Sequence, residues 1–172
     1  MNYKTIILLI TFSIIIILMF LKDKNDLNIK AININKNHIC ANDSMILLDY
    51  KGPKAQILWK DNTRSYYCEV REAFYETTDK IKQKNIKAFF VQNFSNTEWG
   101  SYIDKWMYAK DAYYIIDSNM DGAMGITYVP FDNIDNAKKF LKIYGGELIK
   151  YENINKKTLN NSSLLLKDRI IF

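Results

Sequence analysis

Ala55-Gln-Ile-Leu-Trp-Lys-Asp-Asn-Thr-Arg-Ser-Tyr-Tyr-Cys68 consists of two short apolar runs around a polar link, and it sets the fold on either side of it. Ala55 to Trp59 and Ser65 to Cys68 read as strands joined by the hairpin signal Lys60 to Arg64. Val70, Ala73, Phe74, Thr77 and Ile81 then recur at helical spacing. This predicts a helix over Glu69 to Lys82 with one apolar stripe. Ile86 to Phe94, with Ala88-Phe-Phe-Val91 at its centre, reads as a buried strand. The order is strand, strand, helix, strand.

The same order recurs downstream. Ala112 to Ile116 and Ile126 to Val129 read as strands, separated by a long loop from Ser118 to Gly125. Asp132 is expected to cap a helix running to about Tyr144, with Asp135 near its positive end. Ile134, Ala137, Leu141 and Tyr144 form its apolar face. Gly145-Gly146 stops it, and Glu147 to Tyr151 is a closing strand. The expectation is an α+β protein of two similar ββαβ units packed together, residues 38–95 and 108–152 of one domain spanning 38–152. Residues 153–172 form a C-terminal extension without an evident partner.

Upstream, Thr5 to Leu21 is an almost unbroken apolar run between Lys4 and Lys22. That length is at the lower limit for a membrane span and exceeds a usual signal-peptide core. No small-residue cleavage site follows Leu21, and no cysteine ends the run to accept a lipid. Residues 1–22 therefore read as an uncleaved signal or anchor, one N-terminal transmembrane helix, and residues 23–37 as a polar tether. The positive charges favour the N-terminus inside and the body outside, which in a bacterial chain is the periplasm.

Composition removes several function classes. The 24 basic and 19 acidic residues, net +5, are scattered. They form no stripe with interleaved aromatics, so no nucleic-acid partner is expected. The only imidazole is His38, in the tether, and there is no Gly-x-Ser-x-Gly elbow or phosphate-cradling glycine loop. Two cysteines cannot build a four-cysteine zinc site. Cys40 and Cys68 could form a disulfide in an oxidising compartment, or remain free for a soft metal; connectivity leaves both open.

Soft donors are the better lead. Thioether and thiolate sulfur suit Cu(I), and Cys40-Ala-Asn-Asp-Ser-Met45 and Gly122-Ala-Met-Gly125 each set sulfur among turn-forming residues. Met45 precedes an apolar run, where methionine is a common gap-filler. Met124 stands at a loop-to-strand junction, where a core residue is less expected. Met107 and Met120 are weaker candidates.

These segments, with Asp49-Tyr-Lys-Gly-Pro-Lys-Ala-Gln-Ile57, Tyr108-Ala-Lys-Asp-Ala-Tyr-Tyr114, Val129-Pro-Phe131 and Tyr144-Gly-Gly146, resemble the NosL family in order and spacing. The resemblance covers about Cys40 to Ile154. It implies a pair of ββαβ units and a periplasmic, membrane-attached Cu(I) chaperone for nitrous oxide reductase. The implied partners are the apo-reductase or another cuproenzyme, a membrane copper-transfer complex, and the inner membrane. The family usually carries Cys-x-x-Cys-Gly-Met; here Asp43 and Ser44 replace the second cysteine and the glycine. The implied metal ligands are Cys40, Met45 and Met124, with Asp43 an oxygen donor or supporting group. Cys40-Ala-Asn-Asp43 also resembles the Cys-x-x-Asp of organomercurial lyase, which uses two thiols and an acid. A metal-free interaction module displaying Tyr66, Tyr67, Tyr113 and Tyr114 is the third class.

Overall fold

The computed structural model describes residues 2–5, 7, 9–14 and 29–160. Two compact units are distinguished, Met1–Lys30 and Ala31–Phe172. In the first, residues 3–5, 7 and 9–14 are helical. Among the described residues no helix is long and apolar enough to cross a membrane. About half of the expected span over Thr5 to Leu21 lies outside them.

In the second unit, β1 (Ala55–Trp59), β2 (Arg64–Tyr67), α1 (Val70–Thr78), α2 (Lys80–Asn85) and β3 (Ile86–Gln92) come first. β4 (Trp106–Tyr108), β5 (Tyr113–Ile116), β6 (Asp121–Gly122), β7 (Gly125–Ile126), β8 (Val129–Phe131), α3 (Ile134–Tyr144) and β9 (Glu147–Lys150) follow. One antiparallel sheet runs β2-β1-β3-β4 and another β8-β5-β9, while β6 and β7 form a small hairpin. In both larger sheets the first strand of the repeated pattern is central. Its flanks are the next strand of the pattern and the strand that follows the helix.

The two sheets share one core. Phe74 of α1 stacks edge-on with Phe89 at 5.1 Å and with Tyr114 at 5.3 Å, and meets Tyr151 at 5.5 Å. Ala55, Ile57, Tyr67 and Val91 join it from one sheet, Ile116, Tyr128 and Ile149 from the other side of the core. Alternation along β5 sends Ile115 to the opposite face, where it packs with Val129, Phe131, Ala137 and Phe140 under α3. Pro130 is tolerated because β8 is an edge strand; its carbonyl accepts from Phe94 N–H at 2.8 Å.

Five expectations are corrected. The helix over Glu69 to Lys82 is two helices. Asp79 adopts an extended conformation and its carboxylate accepts from the N–H groups of Ile81 and Lys82, which starts α2. Ile81 is consequently 76% exposed, outside the apolar stripe. Asn133, not Asp132, caps α3, accepting from Asp135 N–H at 2.7 Å. Asp132 instead accepts from Ser95 Oγ at 2.5 Å, tying the end of β8 to the preceding loop. The strand expected at Ile126 to Val129 is broken between β7 and β8, with Thr127 and Tyr128 buried at the break. Trp106 to Tyr108 forms β4, which no pattern in the sequence indicated.

The fifth concerns the segment read as tether. From Ala31 on it lies against the domain: the buried Gln56 amide donates to Ile32 O at 2.9 Å and accepts Ile32 N–H at 3.1 Å. Ile34 is buried as well. Residues 23–28 lie outside the described residues, as do 161–172, including Leu164 to Leu166 and Ile170 to Phe172. Leu159, in the described part of the C-terminal extension, is buried in the shared core.

Candidate metal centre

The segment Cys40 to Met45 is the turn of a small hairpin. Ile39 and Ile46 form an antiparallel bridge, Cys40 N–H donates to Met45 O at 2.8 Å, and Ser44 N–H donates to Cys40 O at 3.0 Å. Asp43 Oδ1 accepts Met45 N–H at 3.0 Å, a local bond that short acidic side chains favour in turns. Ser44 takes φ +63°, a left-handed conformation better suited to glycine. The turn is held onto β2 by Ala41 N–H donating to Tyr66 O at 2.8 Å.

That attachment brings Cys40 to Cys68, at the junction of β2 and α1. Cys68 N–H points at Cys40 Sγ at 3.5 Å. Both cysteines are free thiols and buried. Glu72 stands one helical turn beyond Cys68, and its Oε2 accepts from both thiols, at 3.5 Å from Cys40 and 3.3 Å from Cys68. One ligand atom from each of Cys40, Asp43, Cys68 and Glu72 falls within 4.8 Å of every other. Asp43 is exposed and Glu72 half-buried, so the cluster reaches solvent along the turn. A cleft of about 860 Å³ beside the turn is lined by Ala41, Asn42, Trp59 and Tyr67 among others, and by none of the four clustered residues. The cluster has the dimensions of an ion site.

Its electrostatics favour neutral thiols until something soft arrives. Burial pushes both thiols up from their ordinary value, and the Glu72 charge adds to the effect on each. Burial also draws the Lys54 ammonium down to about 8; its Nζ donates to Tyr50 O and Lys51 O. Glu69, next to Cys68, is raised to about 7 by burial, partly offset by the bond it accepts from Met124 N–H at 2.5 Å.

The sequence-based candidates thus fall into three groups. Cys40 and Asp43 converge directly. Met45 is half-buried, and its backbone bonds to both of them. Met124 sits at the tip of the β6–β7 hairpin, 52% exposed, and its backbone is pinned to Glu69 beside Cys68. Met107 and Met120 are partly buried and pack against the edges of the two apolar clusters. His38 stacks on Tyr66 at 4.5 Å instead of joining the cluster. The sequence reading left Cys68 outside its ligand set and did not single out Glu72. The available signal was the four-residue spacing of Cys68 and Glu72, which places both on one side of a helix start.

The model of the family described as NosL matches residues 31–159. The copper-binding lipoprotein NosL of Stutzerimonas stutzeri is 25% identical over 131 residues, 73% of this chain and 65% of the relative. The copper-binding lipoprotein NosL of Achromobacter cycloclastes is 29% identical over 122 residues, 68% of this chain and 62% of the relative. The chain therefore matches a little under two thirds of the length of these relatives. The crystal structure of the copper chaperone NosL from Shewanella denitrificans superposes with a TM-score of 0.70 at 25% identity, covering 74% of this chain and 97% of that one.

Proposed function

Because the chain belongs to the NosL family, we propose that it binds Cu(I) as cargo and serves as an accessory protein in maturing a copper enzyme. The reading takes nitrous oxide reductase as the client, approached from the periplasmic face of the inner membrane, with residues 1–22 as the anchor. A membrane copper-transfer complex would supply or receive the ion. The observation that carries it is the pair of free, buried thiols at Cys40 and Cys68, which presents soft donors where the motif segment turns. The names of the relatives support copper as the cargo.

In this reading Cys40 thiolate, Met45 and Met124 hold Cu(I), with Asp43 at the solvent edge. Thioether sulfur is neutral and needs no deprotonation, so methionine ligands permit release to a stronger acceptor. Thiolate ligation tightens the hold and releases protons. An anaerobic Cu(I) titration of the full chain, beside a Met45→Ala, Met124→Ala double variant, tests it. The variant is expected to bind at least about tenfold more weakly, about 1.4 kcal/mol. Equal affinities would remove the methionines, and no Cu(I) binding by the reduced chain would sink the reading.

One geometric observation favours a second reading in the enzyme class. Cys40, Cys68 and the Asp43 carboxyl converge within 4.8 Å, two thiols and an acid, as the Cys-x-x-Asp resemblance requires. Two thiolates would take mercury, one thiol proton passing by way of the Asp43 carboxylate to the departing carbon and the other leaving to solvent. Turnover of an organomercurial by the reduced protein is the test; absence of turnover leaves the carrier reading alone.

A further inference from the structure

We propose that Cys68 supplies the second thiolate of the metal site, in place of the cysteine missing from position 43, so that Cu(I) is held between Cys40 and Cys68, whose thiols share the Glu72 Oε2 acceptor in the metal-free chain. This deepens the copper-carrier reading and rests on it. The family pattern places both cysteines in one turn; here Asp43 occupies the second place. The structure brings a thiol to the same spot from another element, the β2–α1 junction.

Three observations carry the assignment. First, the two thiols share one acceptor oxygen, Glu72 Oε2. A buried cysteine kept only for packing would sit among apolar side chains. Neither Cys40 nor Cys68 belongs to either apolar cluster. Second, the two sulfurs lie within 4.8 Å of each other. Two thiolates bonded to one metal at about 2.3 Å each stand at most about 4.6 Å apart, so a single ion can bridge sulfurs held this close. Third, Lys54 is almost fully buried and its charge acts on Cys40, Cys68 and Glu72. That ammonium offsets the single negative charge of a Cu(I) ion between two thiolates.

The loading step balances without redox chemistry. Two S–H bonds break and two Cu–S bonds form. Both protons leave to solvent along the exposed Asp43 turn. Copper stays Cu(I) throughout.

The test is an anaerobic competition titration of the full, reduced chain with a chromophoric Cu(I) chelator, with thiol alkylation counted by mass spectrometry before and after loading. One equivalent of Cu(I) is expected to protect both cysteines. Cys68→Ser is expected to lose more than about 100-fold in affinity, beyond the 10–100-fold that removing a supporting partner costs. Binding with only Cys40 protected, or unchanged affinity in Cys68→Ser, overturns this proposal and leaves the copper reading intact. No binding by the reduced chain overturns both. If Cys68→Ser fails to fold, seen as loss of its thermal transition, the protection pattern of the unsubstituted chain decides alone.

Discussion

The sulfur of Cys40 lies 3.5 Å from the backbone nitrogen of Cys68, twenty-eight positions further along the chain. Neither local spacing nor helix periodicity puts them together. The meeting depends on Ala41 N–H reaching Tyr66 O, a bond that hangs the motif turn on the edge strand of a sheet. A site assembled this way inherits its rigidity from the hairpin β1–β2.

Ser44 occupies a left-handed backbone conformation, φ +63°, where a side chain is strained. Ser44→Gly should therefore stabilise the fold by about 1 kcal/mol, less whatever the added freedom of the unfolded chain takes back. Urea denaturation of the two proteins measures it. A clear loss of stability would mean that the turn does not hold this conformation in solution.

Phe74 joins the two sheets through ring contacts to Phe89, Tyr114 and Tyr151. Phe74→Ala should cost about 3–5 kcal/mol. Because the core is shared, the whole domain should melt in one lowered transition by calorimetry. Two separate transitions, with only one of them shifted, would contradict a common core.

Lys54 loses protons more readily when folded, near pH 8 against an ordinary 10.5. Between those values the unfolded chain holds a proton that the folded chain has given up, so folding stability contributed by this group rises with pH across that window. Below pH 8 the full cost of burying the charge applies, about 3 kcal/mol. The stability difference between the unsubstituted chain and Lys54→Met, followed from pH 7 to 10.5, should move in favour of the lysine. A flat difference would refute the buried ammonium.

Glu72 holds the thiols in their protonated form by charge and by hydrogen bonding at Cys68. Glu72→Gln should speed alkylation of the metal-free protein at pH 8, because the thiolate is the reacting species. Unchanged rates of iodoacetamide labelling would show that burial alone governs these thiols.

Gly146 sits at φ +101°, and a Cβ there would come within 2.4 Å of Ile116 O. Gly146→Ala should destabilise by about 2–3 kcal/mol, read as a lowered melting temperature. Tolerance of the alanine would mean that the α3–β9 corner is looser than described.

Much of the architecture was legible because its signals are local. The apolar run Ala55 to Trp59, the polar link before Ser65 and the helical spacing of Val70, Ala73 and Phe74 each report burial within a few residues. The glycine pair after Tyr144 ended α3 as expected, Gly145 N–H bonding Leu141 O at 2.9 Å. The errors came where a side chain found a non-local or competing partner. Asp132 was drawn to Ser95, so Asn133 took over the cap. Asp79 used its carboxylate to restart a helix that periodicity alone would have continued.

The sequence by itself determined the α+β pattern, the turn chemistry of the Cys40 to Met45 segment and the sulfur residues available to it. These follow from side-chain periodicity and from backbone preferences that act over a handful of positions. Only the tertiary structure decided that Cys68 and Glu72 join Asp43 of the motif turn beside the Cys40 thiol. Such proximity depends on which strand the turn docks against, and hydrogen bonds between distant backbone groups settle that without leaving a periodic trace in the chain.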